Sequence, residues 1–156
     1  KRLPTEAEWE KAARGGCEKN AGADCGAAMR LFPWGDATPT CKKANITVVN
    51  ECGGKSAPVG SYPDGVSPYG VNDMCGNVAE WVSDCYNNLY YGSYAAEGWP
   101  QDPVGPNCSN TTRVSRGKGF ATGGGGWHAF RSTARDGAAQ DYEHAEIGVR
   151  CAWSAP

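Results

Sequence analysis

Apolar and polar positions follow a helical period in some stretches of this chain, a strand-like one in others, and none over long intervals. Near the start, Trp9, Ala12 and Ala13 recur at helical spacing, which predicts a surface helix with Glu6, Glu10 and Lys11 in water. Its ends are marked too. Thr5 and Glu8 have capping-box spacing, Pro4 precedes them, and Gly15-Gly16 follow Arg14. The run from Gly70 to Asp84 predicts a turn leading into a second short amphipathic helix, with Trp81 and Val82 facing inward. Arg113-Val114-Ser115 and the run from Ile147 to Cys151 are short strand signals, the second interrupted by Gly148, so strand content should be low.

Between these elements the pattern lapses into loops. Residues 17 to 31 form an insertion-like loop, and Phe32-Pro33-Trp34-Gly35-Asp36 predicts a rigid aromatic corner that cannot be helical. Residues 86 to 112 concentrate Tyr86, Tyr90, Tyr91, Tyr94 and Trp99 without any period. Such a loop either folds over its own aromatics or leaves them exposed to bind sugar or protein, and the first is expected because large rings pack when they can. Asn45-Ile46-Thr47, Asn107-Cys108-Ser109 and Asn110-Thr111-Thr112 match the glycosylation acceptor pattern, which matters only in a secreted eukaryotic protein.

Composition narrows the class. A chain of 156 residues suits one domain with its own core, and 22 glycines with 10 prolines make it rich in loops without signalling disorder. A net charge of −2 supplies no basic field for nucleic acid or an anionic membrane, and no apolar run is long enough to cross a bilayer. Eight cysteines, mostly in loops and without any Cys-x-x-Cys pair, favour disulfides in an oxidising, extracytoplasmic setting over a zinc site. Cys17 with Cys25 and Cys41 with Cys52 bracket polar loops and make natural staples; Cys85 with Cys108 and Cys75 with Cys151 are the remaining pairs.

The densest chemistry lies in Gly70-Val71-Asn72-Asp73-Met74-Cys75-Gly76-Asn77-Val78-Ala79-Glu80. Asp73 and Glu80 offer carboxylates, while Gly76 and Asn77 permit a tight turn that aims carbonyls at one point, a mixture suited to calcium. The same residues also read as an acidic helix start, capped by Asp73 and Asn77, with no ion. Asn45-Ile46 and then Glu51-Cys52-Gly53-Gly54 form a second group of oxygen donors on a loop with glycine turns. His128 and His144 sit on separate loops and read as surface residues. Gly123 to Gly126 lacks the following Lys-Ser/Thr and helix of a phosphate loop.

Six blocks in order carry a family resemblance: the run from Arg2 to Glu10, Phe32-Pro33-Trp34-Gly35, Pro58-Val59-Gly60-Ser61-Tyr62, the run from Gly70 to Asp84, Arg113-Val114-Ser115-Arg116-Gly117 and Gly148-Val149-Arg150-Cys151-Ala152. The chain resembles the sulfatase-modifying-factor family, the domain of formylglycine-generating enzymes. The resemblance implies an α+β, C-type-lectin-like fold with little regular secondary structure, stabilised by disulfides and calcium. It treats residues 1 to 156 as a single domain lacking the family's N-terminal portion, with a second chain or removed segment covering the open edge.

Residue by residue, the resemblance implies one structural calcium at Asp73, Gly76, Val78 and Glu80. A second would be held by Asn45, Ile46, Glu51 and Gly53, where Glu51 replaces the usual Asp and an ion-free, disulfide-closed loop is an equal reading. The family's two copper-binding cysteines align with Thr122 and Trp127, neither of which binds copper(I), and no cysteine lies between Cys108 and Cys151. Arg116, Arg131 and Arg135 stand where the family has them and are expected to pair with buried carboxylates such as Glu8, Glu80 or Asp84.

The expected function is therefore a non-catalytic, calcium-stabilised extracytoplasmic binding or assembly module for a protein or glycan, with a groove around Thr122 to His128 and the Tyr-rich loop. No copper, nucleic acid or membrane insertion is expected. The alternatives are a formylglycine-generating oxidase, one part of a larger non-haem iron enzyme of the same family, or a receptor domain varying between residues 118 and 146.

Overall fold

The computed structural model describes residues 1–19, 30–47, 52–94, 98, 100–108, 111–122 and 126–154. Among the described residues there are one α-helix, α1 (Glu6–Arg14), and four strands: β1 (Ala79–Cys85), β2 (Thr112–Arg116), β3 (Arg135–Ala139) and β4 (Ile147–Val149). They form one sheet in the order β3-β2-β1-β4, antiparallel except for the parallel β1–β4 pair. Helix α1 packs on β1 and β2. The mixed α+β architecture with sparse regular structure is the expected fold class.

Helix α1 starts as its sequence predicts. The Thr5 hydroxyl accepts the Glu8 N–H, and the Glu8 carboxylate accepts the Thr5 N–H at 2.8 Å. Arg2 grips the same carboxylate through both terminal nitrogens at 2.6 Å and holds it well below the usual range, at about 2. The inward face is Trp9 and Ala13, but Glu6 joins them at 2% exposure and does not face water. Glu6 is buried because two guanidiniums meet it there.

The second predicted helix is a strand. In β1 the inward positions are Glu80, Val82 and Asp84, spaced by two. Two of those three are carboxylates, so the period of two does not register as hydrophobic alternation. Each has a partner that makes burial tolerable. Glu80 accepts from Arg150 and from the Trp9 indole N–H at 2.7 Å, and Asp84 accepts the Glu6 backbone N–H at 2.8 Å. Desolvation raises the Asp84 carboxyl above its ordinary range. Trp81 faces the other side of the sheet, half-buried.

Across the sheet Arg116 stands opposite both Glu80 and Arg135. Two cations facing each other would repel. Glu6 lies between them: its Oε1 accepts from Arg116 Nη1 at 3.1 Å and Arg135 Nε at 2.8 Å, and its Oε2 from Arg135 Nη2 at 2.5 Å. Arg116 also reaches Glu10 and the Ser132 carbonyl, both at 2.7 Å, and lies over the Trp9 ring. The expected carboxylate partners of the arginines are thus replaced by Glu6 and Glu10, because α1 lays its carboxylate face on the sheet. Arg131 pairs instead with His128.

Two apolar clusters flank this centre, one of Trp9, Ala13, Met74, Val82 and Val114, the other of Phe32, Ala44, Ile46, Cys75 and Phe130. The Phe32–Gly35 corner closes on itself through reciprocal backbone bonds of 3.0 Å. Arg2 and Ala152 pair at the two ends of the chain. Disulfides join Cys41 to Cys52 and Cys85 to Cys108; Cys17 is also disulfide-bonded, and Cys25 lies outside the described residues. Cys75 and Cys151 are not joined. Both are free, the first buried against the Phe130 carbonyl and the second exposed.

Burial pushes the Cys75 thiol far up, which suppresses its thiolate. Without reductant, a maleimide should label Cys151 within the native protein and reach Cys75 only in denaturant. Peptide mapping by mass spectrometry checks this, and native labelling of Cys75 would contradict the packing.

Candidate functional site

The turn after β2 forms one wall of a polar groove, with β3 and the segment before β4 as the others. Its volume is about 530 Å³, and Lys118, Thr122, Asp136, Tyr142, His144 and Glu146 bring its functional groups. Lys118 takes the left-handed conformation, with φ 61°, and its ammonium pairs with Asp136 on β3. Glu146 ties the turn to β4: its carboxylate accepts the Ala121 N–H at 3.0 Å and faces the Thr122 hydroxyl at 3.5 Å. Gly119 is required there, since a Cβ would lie 2.4 Å from Glu146. Tyr142 and His144 stack at 5.8 Å as an exposed wall, and His144 Nδ1 accepts the Glu146 N–H at 3.3 Å.

The groove therefore presents one Lys–Asp pair, one carboxylate bound to backbone, hydroxyls and a Tyr–His face. It is equipped to hold polar groups through directed hydrogen bonds. Thr122 lines it, as expected. The rest of the expected surface divides differently. Trp127 and His128 lie on a short 3₁₀ turn (Gly126–Phe130), where their rings meet at 3.7 Å and Trp127 packs near Phe32 at 6.0 Å. Gly123 to Gly125 lie outside the described residues.

The tyrosines form a third group. Tyr90 meets Tyr91 and Tyr94 edge-on at 5.0 and 5.3 Å, and Arg135 lies over Tyr86 and Tyr91. This loop folds over its own aromatics beside the buried ion cluster, and Trp99 lies outside the described residues. Burial raises the Tyr91 hydroxyl well above its ordinary range. Both histidines, at 128 and 144, are exposed.

The oxygen-rich turn before β1 is tightly built. Asp73 and Asn77 adopt left-handed backbone, with φ 59° and 65°. Gly76 crosses so close to Asn45 that a Cβ would lie 2.5 Å from its carbonyl oxygen. The two asparagines lock the crossing: Asn45 Nδ2 donates to Asn77 Oδ1 at 3.1 Å and to the Lys55 carbonyl at 2.9 Å, while Asn77 exchanges bonds with the Ala57 backbone. Asn45 is 2% exposed, so it cannot accept a glycan in the folded protein. Asp73 Oδ2 accepts the Gly60 N–H at 2.7 Å. Ile46 is buried and Gly53 has φ 96°; Glu51 lies outside the described residues.

Known proteins match the chain in sequence and in fold. The profile of the sulfatase-modifying factor enzyme 1-like domain covers residues 1–155, and the chain belongs to that family. It is 36% identical over 163 residues to a formylglycine-generating enzyme of Streptomyces coelicolor, covering 97% of this chain and 46% of that protein. Over 85 residues it is 46% identical to a hercynine oxygenase of Mycolicibacterium smegmatis, covering 53% of this chain and 17% of that protein. Among solved structures, Treponema denticola variable protein 1 superimposes with a TM-score of 0.66 at 27% identity, over 95% of this chain and 45% of that one. The chain thus spans less than half the length of each of these relatives.

Sequence reasoning missed Glu146, along with Lys118, Asp136 and Tyr142, because isolated polar residues in loops and at strand ends carry no signal until the turn they meet is in place. Glu146→Ala should leave the fold intact, cost about 1 kcal/mol in denaturant unfolding, and raise amide exchange at Ala121 and Gly119. Unchanged exchange there would show that the turn holds its shape without Glu146.

Proposed function

We propose that this chain is a non-catalytic formylglycine-generating-enzyme-like domain, acting as a calcium-stabilised extracytoplasmic module for binding or assembly. The family resemblance supports the reading: under it the two copper-binding positions are expected at Thr122 and Trp127, and each of these residues is engaged otherwise, Thr122 beside Glu146 and Trp127 between His128 and Phe32. Copper(I) needs soft thiolates. Cys75 is buried as a thiol in the second apolar cluster, and Cys151 lies beyond β4. Disulfides at Cys41–Cys52 and Cys85–Cys108 favour an oxidising compartment.

A second reading, one part of a larger non-haem iron enzyme, has a single observation in its favour, the 46% identity to hercynine oxygenase over about half of this chain. Copper(I) titration with and without blocked thiols addresses the first reading. No tight stoichiometric site is expected, and an equimolar site abolished by thiol blocking would overturn the non-catalytic assignment.

For calcium, Asp73, Gly76, Val78 and Glu80 lie close in sequence at the entry to β1 and would supply two carboxylates and two carbonyls, a hard-oxygen set. Glu80 would share its carboxylate between the ion and Arg150, which now bonds both oxygens. Calcium added to chelator-treated protein should raise the melting temperature by mass action, and Asp73→Ala should remove that increment. A melting curve indifferent to calcium would remove the ion from the account.

A further inference from the structure

We propose that the surface around Trp34 and Trp127 binds an acidic saccharide, a chain of pyranose rings bearing carboxylates. The proposal rests on the binding-module reading and gives that module a ligand class. Trp34 lies parallel to Phe32 at 5.2 Å, and Phe32 meets Trp127 at 6.0 Å and a tilt of 54°. Phe32 is fully buried, so it forms the floor between two indoles that reach the surface, Trp127 at 38% exposure.

Both indoles are fixed before any ligand arrives. Trp34 Nε1 donates to the Ala37 carbonyl at 2.8 Å, and Trp127 rests against His128. Rigid aromatic surface loses little entropy on binding, and the exposed part of the Trp127 indole suits the C–H face of a pyranose, with Trp34 as a fixed flank. Cations frame the rings: Lys43 Nζ lies 5.8 Å from the Trp34 centroid and the Arg131 guanidinium 5.8 Å from that of Trp127. Arg131 Nη2 is held by His128 Nδ1 at 2.7 Å, which fixes the guanidinium beside Trp127 while its Nε is turned inward, buried.

The nearest carboxylate in sequence, Asp36, is turned to the Leu31 N–H at 2.9 Å. The frame is thus rich in donors, matching hydroxyl and carboxylate oxygens together. A long polyanion such as nucleic acid is disfavoured by the chain's net charge of −2. A mononucleotide shares the pattern of ring plus negative charge, and the experiment separates it.

Isothermal titration of the full chain should use tetragalacturonate, an uncharged galactose tetramer and AMP. Saturable binding of tetragalacturonate is expected, weakened about tenfold by Trp127→Ala and by Arg131→Gln, with the neutral tetramer about tenfold weaker. Circular dichroism checks that each variant is folded; if Trp127→Ala unfolds, Arg131→Gln decides. The proposal is overturned by no saturable heat from tetragalacturonate, by equal binding of the neutral tetramer, by AMP binding more tightly than the saccharide, or by unchanged affinity in a folded variant. Absent saccharide binding together with no copper(I) site rejects this ligand and leaves the non-catalytic module standing; a copper(I) site rejects the module whatever the saccharide does.

Discussion

The buried charge cluster of Glu6, Arg116 and Arg135 is the constraint on which the rest of the structure depends. Arg116 and Glu6 are 1% and 2% exposed, and taking each ion out of water costs several kcal/mol. That cost is offset only where the geometry is good and further hydrogen bonds complete the set. Here Glu6 serves two guanidiniums, and Arg116 adds Glu10, the Ser132 carbonyl and the face of Trp9. The cluster fixes α1 on the sheet, places β3 beside β2 despite the facing arginines, and leads through Trp9 to Glu80 and Arg150 near β4. Few regular elements are then needed to hold a loop-rich domain.

Position of the binding surface follows from that centre. The turn after Arg116 begins at Gly117, whose carbonyl accepts the Gly76 N–H at 2.8 Å, so the groove wall and the oxygen-rich turn are spliced at one point. Asn45 and Asn77 tie the same point to the apolar cluster around Phe32 and Ile46. The polar groove and the aromatic surface are therefore carried on a common frame, while the tyrosine loop seals the other end of the ion cluster.

Much of this was legible in the residues. The capping box, the Phe32 corner, β2, β4 and the Cys41–Cys52 bridge follow from local chemistry that tertiary packing did not override, while the Cys85–Cys108 bridge follows only as a pair left over once the loop staples are assigned. β1 reads as helix in the sequence because two of its inward residues are carboxylates, and a charged inward position looks solvent-facing until its partner is known. Glu6 looks solvent-facing for the same reason: its partners lie 110 and 129 positions away. The proposed Cys75–Cys151 bridge failed because one sulfur is enclosed by Phe130 and the other stands on the surface.

A double-mutant cycle with Glu6→Gln and Arg116→Met, measured by urea unfolding, tests the central claim most directly. Each single change should cost about 3–5 kcal/mol by leaving a buried charge without its partner, and the pair together should cost well under the sum, with a coupling above about 1 kcal/mol. Additive losses within about 0.5 kcal/mol would contradict the account, since the two charges would then be stabilising the fold independently.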